Sequence, residues 1–214
     1  MTPIAILLSG RGSNFVTIQQ AIARGEIPAE IVLVASNVAD AAGLAKAREL
    51  GLPTAAIPHL PQSGEPGGRQ AHEEKVSAAL RAAGAEWVCL AGYMRLLSPA
   101  FVASFRQRIV NIHPSLLPAF PGLDAQGAAF AHGVKVSGCT VHLVDEGLDS
   151  GPIVVQRAVP VLAGDSAADL AARILEAEHL AYPEALRKLF TEPWRIEGRR
   201  LVFATGSGVS GDAG

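Results

Sequence analysis

The chain has 214 residues, 49% apolar, 18% charged and 5% aromatic, with a formal net charge of -2. One α/β domain of this size buries about 70% of its unfolded surface, here mostly with aliphatic side chains. The charge excludes a whole-protein basic field for nucleic acid or an anionic membrane, so any anionic ligand must be held locally.

Cys89 and Cys139 lie in apolar, strand-like runs with no C-x-x-C or histidine spacing, which argues against a disulfide framework or a zinc site. The apolar run after Met1-Thr2-Pro3 stops at Ser9, too short for a signal peptide or a membrane span, so a cytoplasmic protein is expected.

Ile4 to Leu8 is a continuous apolar run ending in Ser9-Gly10-Arg11-Gly12-Ser13-Asn14, which predicts a buried strand, a turn and a helix from about Phe15 to Arg24. Ile31 to Ala35 repeats the run, and alanine-rich Ala41 to Leu50 predicts a helix stopped by Gly51-Leu52-Pro53. A strand over Thr54 to Ile57, a mobile Pro/Gly-rich loop from Pro58 to Gly68 and a helix from Gln70 to Ala83 follow. Trp87 to Ala91 and Arg108 to Ile112 read as strands separated by a short helical segment. This alternation predicts a doubly wound, mostly parallel, Rossmann-like sheet with helices on both faces. Gly138 to Val144 and Pro152 to Val161 read as strands without a helix between them, a mixed or antiparallel edge. Ser166 to Phe190 predicts one long amphipathic helix. Residues 191–214 read as a tail, with a hairpin over Trp194 to Phe203 and a disordered Gly/Ser-rich end. No repeat or composition shift calls for a second domain, so residues 1–190 are expected to form one.

Ligands of open α/β sheets bind beyond the carboxyl ends of the strands, and three segments qualify. Gly10 to Asn14 allows close backbone approach and leads into a helix N-terminus, an anion site. Phe15 stands where a dinucleotide fold has its third glycine, Ser36-Asn37 where it has an acidic residue, and the Lys-Ser/Thr pair of a P-loop is missing. A plain strand-helix turn with a Ser/Asn cap fits the same residues.

The second segment is Asn111-Ile112-His113-Pro114-Ser115-Leu116-Leu117-Pro118, where alternation aims Asn111 and His113 to one side and Pro114 stops the strand. An amide donor beside an imidazole suits attack on a carbonyl, although an Asn/His pair satisfying loop backbone groups reads equally well. The third is the acidic turn Asp145-Glu146-Gly147-Leu148-Asp149, followed by Ser150-Gly151-Pro152. A carboxylate there favours a charged histidine, and Asp149 stands out because Gly151-Pro152 fixes the backbone just after it. His59, His72, His132 and His179 are read as surface or cap residues, and His142 as lining either the site or the core.

Taken together, these segments resemble the glycinamide ribonucleotide formyltransferases from about Ile4 to Leu189. The likeness rests on ILLSGRGSN, SN followed by GLAKA, LAGYMRLLSPAFV, NIHPSLLPAFPG, GCTVHLVDEGLDSGPIVVQ and AEHLAYP. It implies formyl transfer from 10-formyltetrahydrofolate, a co-substrate, to the glycinamide amine, without a metal. Asn111 and protonated His113 would stabilise the oxyanion, and Asp149 would hold His113 charged and help a water relay protons. Gly12, Ser13 and Asn14 would bind the substrate phosphate and Glu178 its ribose or glycinamide end. Folate would rest on Met94, Arg95, Leu96, Leu97, Asn111 and the loop Asp145, Glu146, Gly147, Leu148, Asp149, with Arg69 on its far side. Where family members often carry histidines, this chain has Leu123-Asp124-Ala125-Gln126-Gly127, read as a loop, and contacts from it are not carried over.

The expected partners are small molecules, not nucleic acid or membrane, with the chain a monomer or a homodimer. A formyltetrahydrofolate hydrolase would use the same three residues with water, but it usually brings an extra N-terminal module, whereas this chain begins at the first strand. A transfer RNA formyltransferase needs a C-terminal barrel and a basic face, for which the 24 residues after Phe190 leave no room. A non-catalytic folate or nucleotide sensor has no need of a proton-transferring histidine beside an oxyanion donor.

Overall fold

The computed structural model describes residues 1–59 and 68–204. Most of the expected Pro/Gly-rich loop and the Gly/Ser-rich end lie outside them. The elements are β1 (Thr2–Leu8), α1 (Ser13–Ala23), β2 (Ala29–Ser36), α2 (Ala42–Glu49), β3 (Thr54–Ala56), α3 (Arg69–Ala82), β4 (Trp87–Leu90) and α4 (Pro99–Ser104). They continue with β5 (Ile109–His113), α5 (Ala125–His132), β6 (Val136–Leu143), β7 (Ile153–Pro160), α6 (Ala167–Thr191), β8 (Trp194–Glu197) and β9 (Arg200–Phe203).

The strands form one sheet in the order β3-β2-β1-β4-β5-β6-β7-β9-β8. β1 to β5 pair in parallel, as the strand-helix alternation predicts. β6 runs antiparallel to both β5 and β7, which is the expected mixed edge, and the hairpin β8–β9 continues the sheet beyond β7.

Central strands are apolar on both faces because helices cover both. Ile4, Ile6 and Leu8 of β1 join one core with Phe15 and Ile18 of α1, Leu44 of α2 and Leu170, Ile174 and Leu186 of α6. Ala5 and Leu7 turn the other way, into a second core with Val76 and Leu80 of α3 and Phe101 and Val102 of α4. β5 follows the same alternation, with Val110 and Ile112 in the first core and Ile109 in the second. Asn111 and His113 therefore share the side of Ile109, at the carboxyl end of the strand.

One element departs from the expected order. Leu123 to Gly127, read as a loop, opens α5: Asp124 caps the helix, its Oδ1 accepting from the Gly127 N–H at 3.3 Å. Long helix α6 starts as expected, through a capping box in which Ser166 and Asp169 exchange bonds. The fully buried Tyr182 of α6 shares its hydroxyl proton between the carbonyls of Leu90 (3.0 Å) and Val110 (2.9 Å), which fixes the helix to the end of β4 and to β5 just before Asn111.

Candidate active site

His113, at the carboxyl end of β5, meets Asp149 of the turn between β6 and β7. His113 Nε2 lies 2.9 Å from the Phe120 carbonyl, which can only accept, so this nitrogen carries a proton. The ring thereby presents Nδ1 to Asp149, 3.4 Å from Oδ2. Asp149 Oδ2 also accepts from the Gly122 N–H at 2.8 Å. The loop after β5 is thus tied to both members of the pair. Its own frame is Thr140 of β6, which accepts from the Leu117 N–H at 3.0 Å and donates to the Ser115 carbonyl at 2.7 Å.

His142 settles the orientation of Asn111. It is buried and pairs across the ladder with Asn111. Its Nδ1 donates to the Leu143 carbonyl at 3.0 Å, leaving a lone pair on Nε2 that accepts from Asn111 Nδ2 at 3.2 Å. Burial pushes this imidazole below the usual histidine range, so it stays neutral. The amide of Asn111 has two N–H groups, and the one not used by His142 is available to a ligand. His142 Nε2 is also 3.8 Å from Asp149 Oδ1, a contact that brings the four side chains together without a hydrogen bond, since the neutral ring turns a lone pair to the carboxylate.

Asp149 adopts a left-handed backbone, φ 48. The turn around it is held from within by Asp145, whose Oδ1 accepts from Ser150 Oγ (2.7 Å) and the Gly147 N–H (3.1 Å). A Cβ on Gly151 would sit 1.8 Å from the Leu143 carbonyl oxygen, so only glycine lets the turn return against β6.

α1 begins at Ser13 after left-handed Gly12 (φ 72), and no side chain caps it. Neither Ser13 nor Asn14 is the cap that a plain turn would need. Among the described residues nothing accepts from the N–H groups of Ser13, Asn14 and Phe15. The start of this helix is open to an anion. β4 separates β1 from β5, so the two strands run about 10 Å apart across two strand spacings.

Glu178 of α6 is buried and accepts from Asn14 Nδ2 at 2.7 Å, while Asn14 Oδ1 is buried without a partner. Burial raises the Glu178 carboxyl above the ordinary glutamate range, and the bond from Asn14 offsets this only in part. A raised carboxyl means that the folded chain binds a proton the unfolded chain has released, so stability falls as pH rises from the ordinary value of 4.5. Glu178→Gln is expected to raise the melting temperature at about pH 7 and to raise it less at about pH 4, as thermal melts at both pH values will measure.

Met94 and Leu96 are 66% and 65% exposed, and Leu148 of the Asp149 turn is 53% exposed. Leu97 packs on the second core, and the Met94 N–H donates to Ser9 Oγ at 2.8 Å. Arg69 Nε lies 3.2 Å from Glu73, the buried carboxylate that also accepts from the N–H and hydroxyl of Ser98. Glu73 thereby joins Arg69 to Ser98, three residues after Arg95. The surface reading of His72 is corrected: it is buried, with Nε2 2.9 Å from the Tyr93 hydroxyl. His59 is likewise partnered, by Asn37 at 3.3 Å. Among the described residues no group of three or more His, Cys, Asp and Glu is arranged to hold a metal ion, and no helix is long and apolar enough to cross a membrane.

The formyl transferase family profile matches residues 2–186, which include every side chain of this cluster. The chain belongs to the formyl transferase family. Within that family it is 38% identical over 208 residues to the phosphoribosylglycinamide formyltransferase of Escherichia coli (strain K12), covering 97% of this chain and 93% of that one. It is similar in structure to glycinamide ribonucleotide transformylase 1 from Symbiobacterium toebii, with a TM-score of 0.90 and 47% identity, covering 96% of this chain and 95% of that one. It is 48% identical over 189 residues to the trifunctional purine biosynthetic protein adenosine-3 of Drosophila pseudoobscura pseudoobscura. The match takes 87% of this chain and spans only 14% of that much longer relative.

Proposed function

We propose that the chain transfers the formyl group of 10-formyltetrahydrofolate to the amine of glycinamide ribonucleotide, giving formylglycinamide ribonucleotide and tetrahydrofolate in purine biosynthesis. The observation that carries this reading is the cluster of Asn111, His142, Asp149 and His113, with an uncapped helix start after β1, two strands away. A substrate with a phosphate at one end and an amine at the other fits an anion seat after β1 and a reacting centre on β5.

In this reading the N–H groups of Ser13 and Asn14 bind the phosphate, and Glu178 binds the ribose or glycinamide end. The folate lies on Met94, Leu96, Leu97 and the Asp145 to Asp149 turn, flanked by Arg69 and Arg95. The amine nitrogen attacks the formyl carbon, and the carbonyl electron pair moves onto oxygen. The free N–H of Asn111 and the positive charge of protonated His113 stabilise that oxyanion. The attacking nitrogen loses a proton, the bond from carbon to the folate nitrogen breaks, and that nitrogen gains a proton through a water held by Asp149. Residues 1–190 act as one transferase domain in the cytoplasm, where the buried free thiols of Cys89 and Cys139 stay reduced.

The absorbance change of 10-formyltetrahydrofolate turnover, with and without glycinamide ribonucleotide, tests the reading. Turnover that requires the amine supports it. Turnover without the amine overturns it in favour of a hydrolase, and none in either case in favour of a sensor. Gly12→Ala bears on the phosphate seat: its Cβ would meet the Gly43 Cα at 2.8 Å in a left-handed backbone. The variant is expected to raise KM for the ribonucleotide about tenfold or more, with the folate KM unchanged, in steady-state kinetics.

A further inference from the structure

Asp149 is a non-glycine residue in a left-handed conformation, which is strained and persists only where its surroundings over-determine it. Two restraints are already clear: Asp145 holds the turn from inside, and Gly122 holds the carboxylate. A third comes from beyond residue 186, where the match to the family ends. Arg199, in the turn between β8 and β9, donates from Nη2 to the Ser150 carbonyl at 2.9 Å. The next residue, Arg200, pairs in parallel with Ile153 of β7, just past the same turn.

The hairpin that carries Arg199 is itself anchored. Trp194 Nε1 donates to the Leu189 carbonyl at 3.1 Å and its ring meets Trp87 edge-on at 6.4 Å. Lys188 Nζ lies 4.5 Å above the Phe203 ring. A guanidinium on such a support fixes the peptide that follows Ser150, and with it the backbone that aims Asp149 at His113.

We infer that Arg199 is a positioning residue for Asp149: the hairpin after the long helix clamps the turn that carries the carboxylate. This rests on the proposed formyl transfer for its kinetic readout, but not for its structural one. Arg199→Ala is expected to lower kcat about fivefold, the worth of one charge-assisted hydrogen bond, with both KM values within twofold. Arg199→Lys, which can still donate to a carbonyl, restores most of the loss. Arg195→Ala removes an exposed ion pair with Glu197 in the same hairpin and leaves kcat unchanged. Amide hydrogen exchange over residues 145–151 is expected to speed up in Arg199→Ala and not in Arg195→Ala, whichever reaction the enzyme catalyses. Unchanged exchange in Arg199→Ala, or equal effects of the two alanine variants on exchange and kcat, overturns the inference. Faster exchange in a chain without formyl transfer upholds the clamp and sinks only the proposed function.

Discussion

Asp149→Asn is expected to lower kcat by about 10²- to 10⁴-fold while leaving both KM values near those of the parent chain, the range for loss of a positioned acid-base group. The choice of asparagine matters, because Asp149 has φ 48 and asparagine tolerates a left-handed backbone as well as aspartate does. The amide oxygen can still accept from the Gly122 N–H, so the turn keeps its shape. What is lost is the negative charge 3.4 Å from His113 Nδ1. Single-turnover kinetics beside substrate titrations will separate this from a binding defect. A kcat within threefold of the parent would remove the carboxylate from the mechanism.

Asn111→Leu is expected to lower kcat by about 10²- to 10³-fold, the cost of removing one oxyanion donor from a preorganised site. Leucine is close in size and fits a strand. The change also leaves His142 Nε2 without its donor at 3.2 Å, inside a buried ladder. Some loss of melting temperature is therefore expected as well. His142→Gln separates the two effects: if His142 only orients the amide, that variant lowers kcat less than Asn111→Leu, with the folate KM unchanged, in the same steady-state assay.

Much of this architecture is local and so was legible in the residues. The apolar runs of β1, β2, β4 and β5 are bounded by glycine, proline and serine, and Pro114 ends β5 directly after His113. Alternation along Asn111-Ile112-His113 placed two polar side chains on one side, which the two cores bear out through the opposite packing of Ile112 and Ile109. What could not be read depends on partners distant in the chain. α5 is eight residues of mostly alanine and glycine, with no apolar period, and its cap, Asp124, has a left-handed backbone that composition does not announce. His72 is buried because Tyr93 packs against it from another segment. For His142, alternation gives a face but not a neighbour, so the residues alone do not choose between site and core. Its place opposite Asn111 follows from the antiparallel pairing of β5 and β6. A register shift between Val141 and His142 in the pairing of β6 with β7 further alters any simple count along the strand.

The hydroxyl of Tyr182, one helical turn from Glu178, is bonded to the carbonyl immediately before Asn111. On the proposed formyl transfer, the side chain assigned to the sugar and the amide assigned to the reacting carbon therefore ride on a single rigid ruler. Amines set closer to or farther from their phosphate than in the natural acceptor are then rejected by length, before any chemical difference between them is felt.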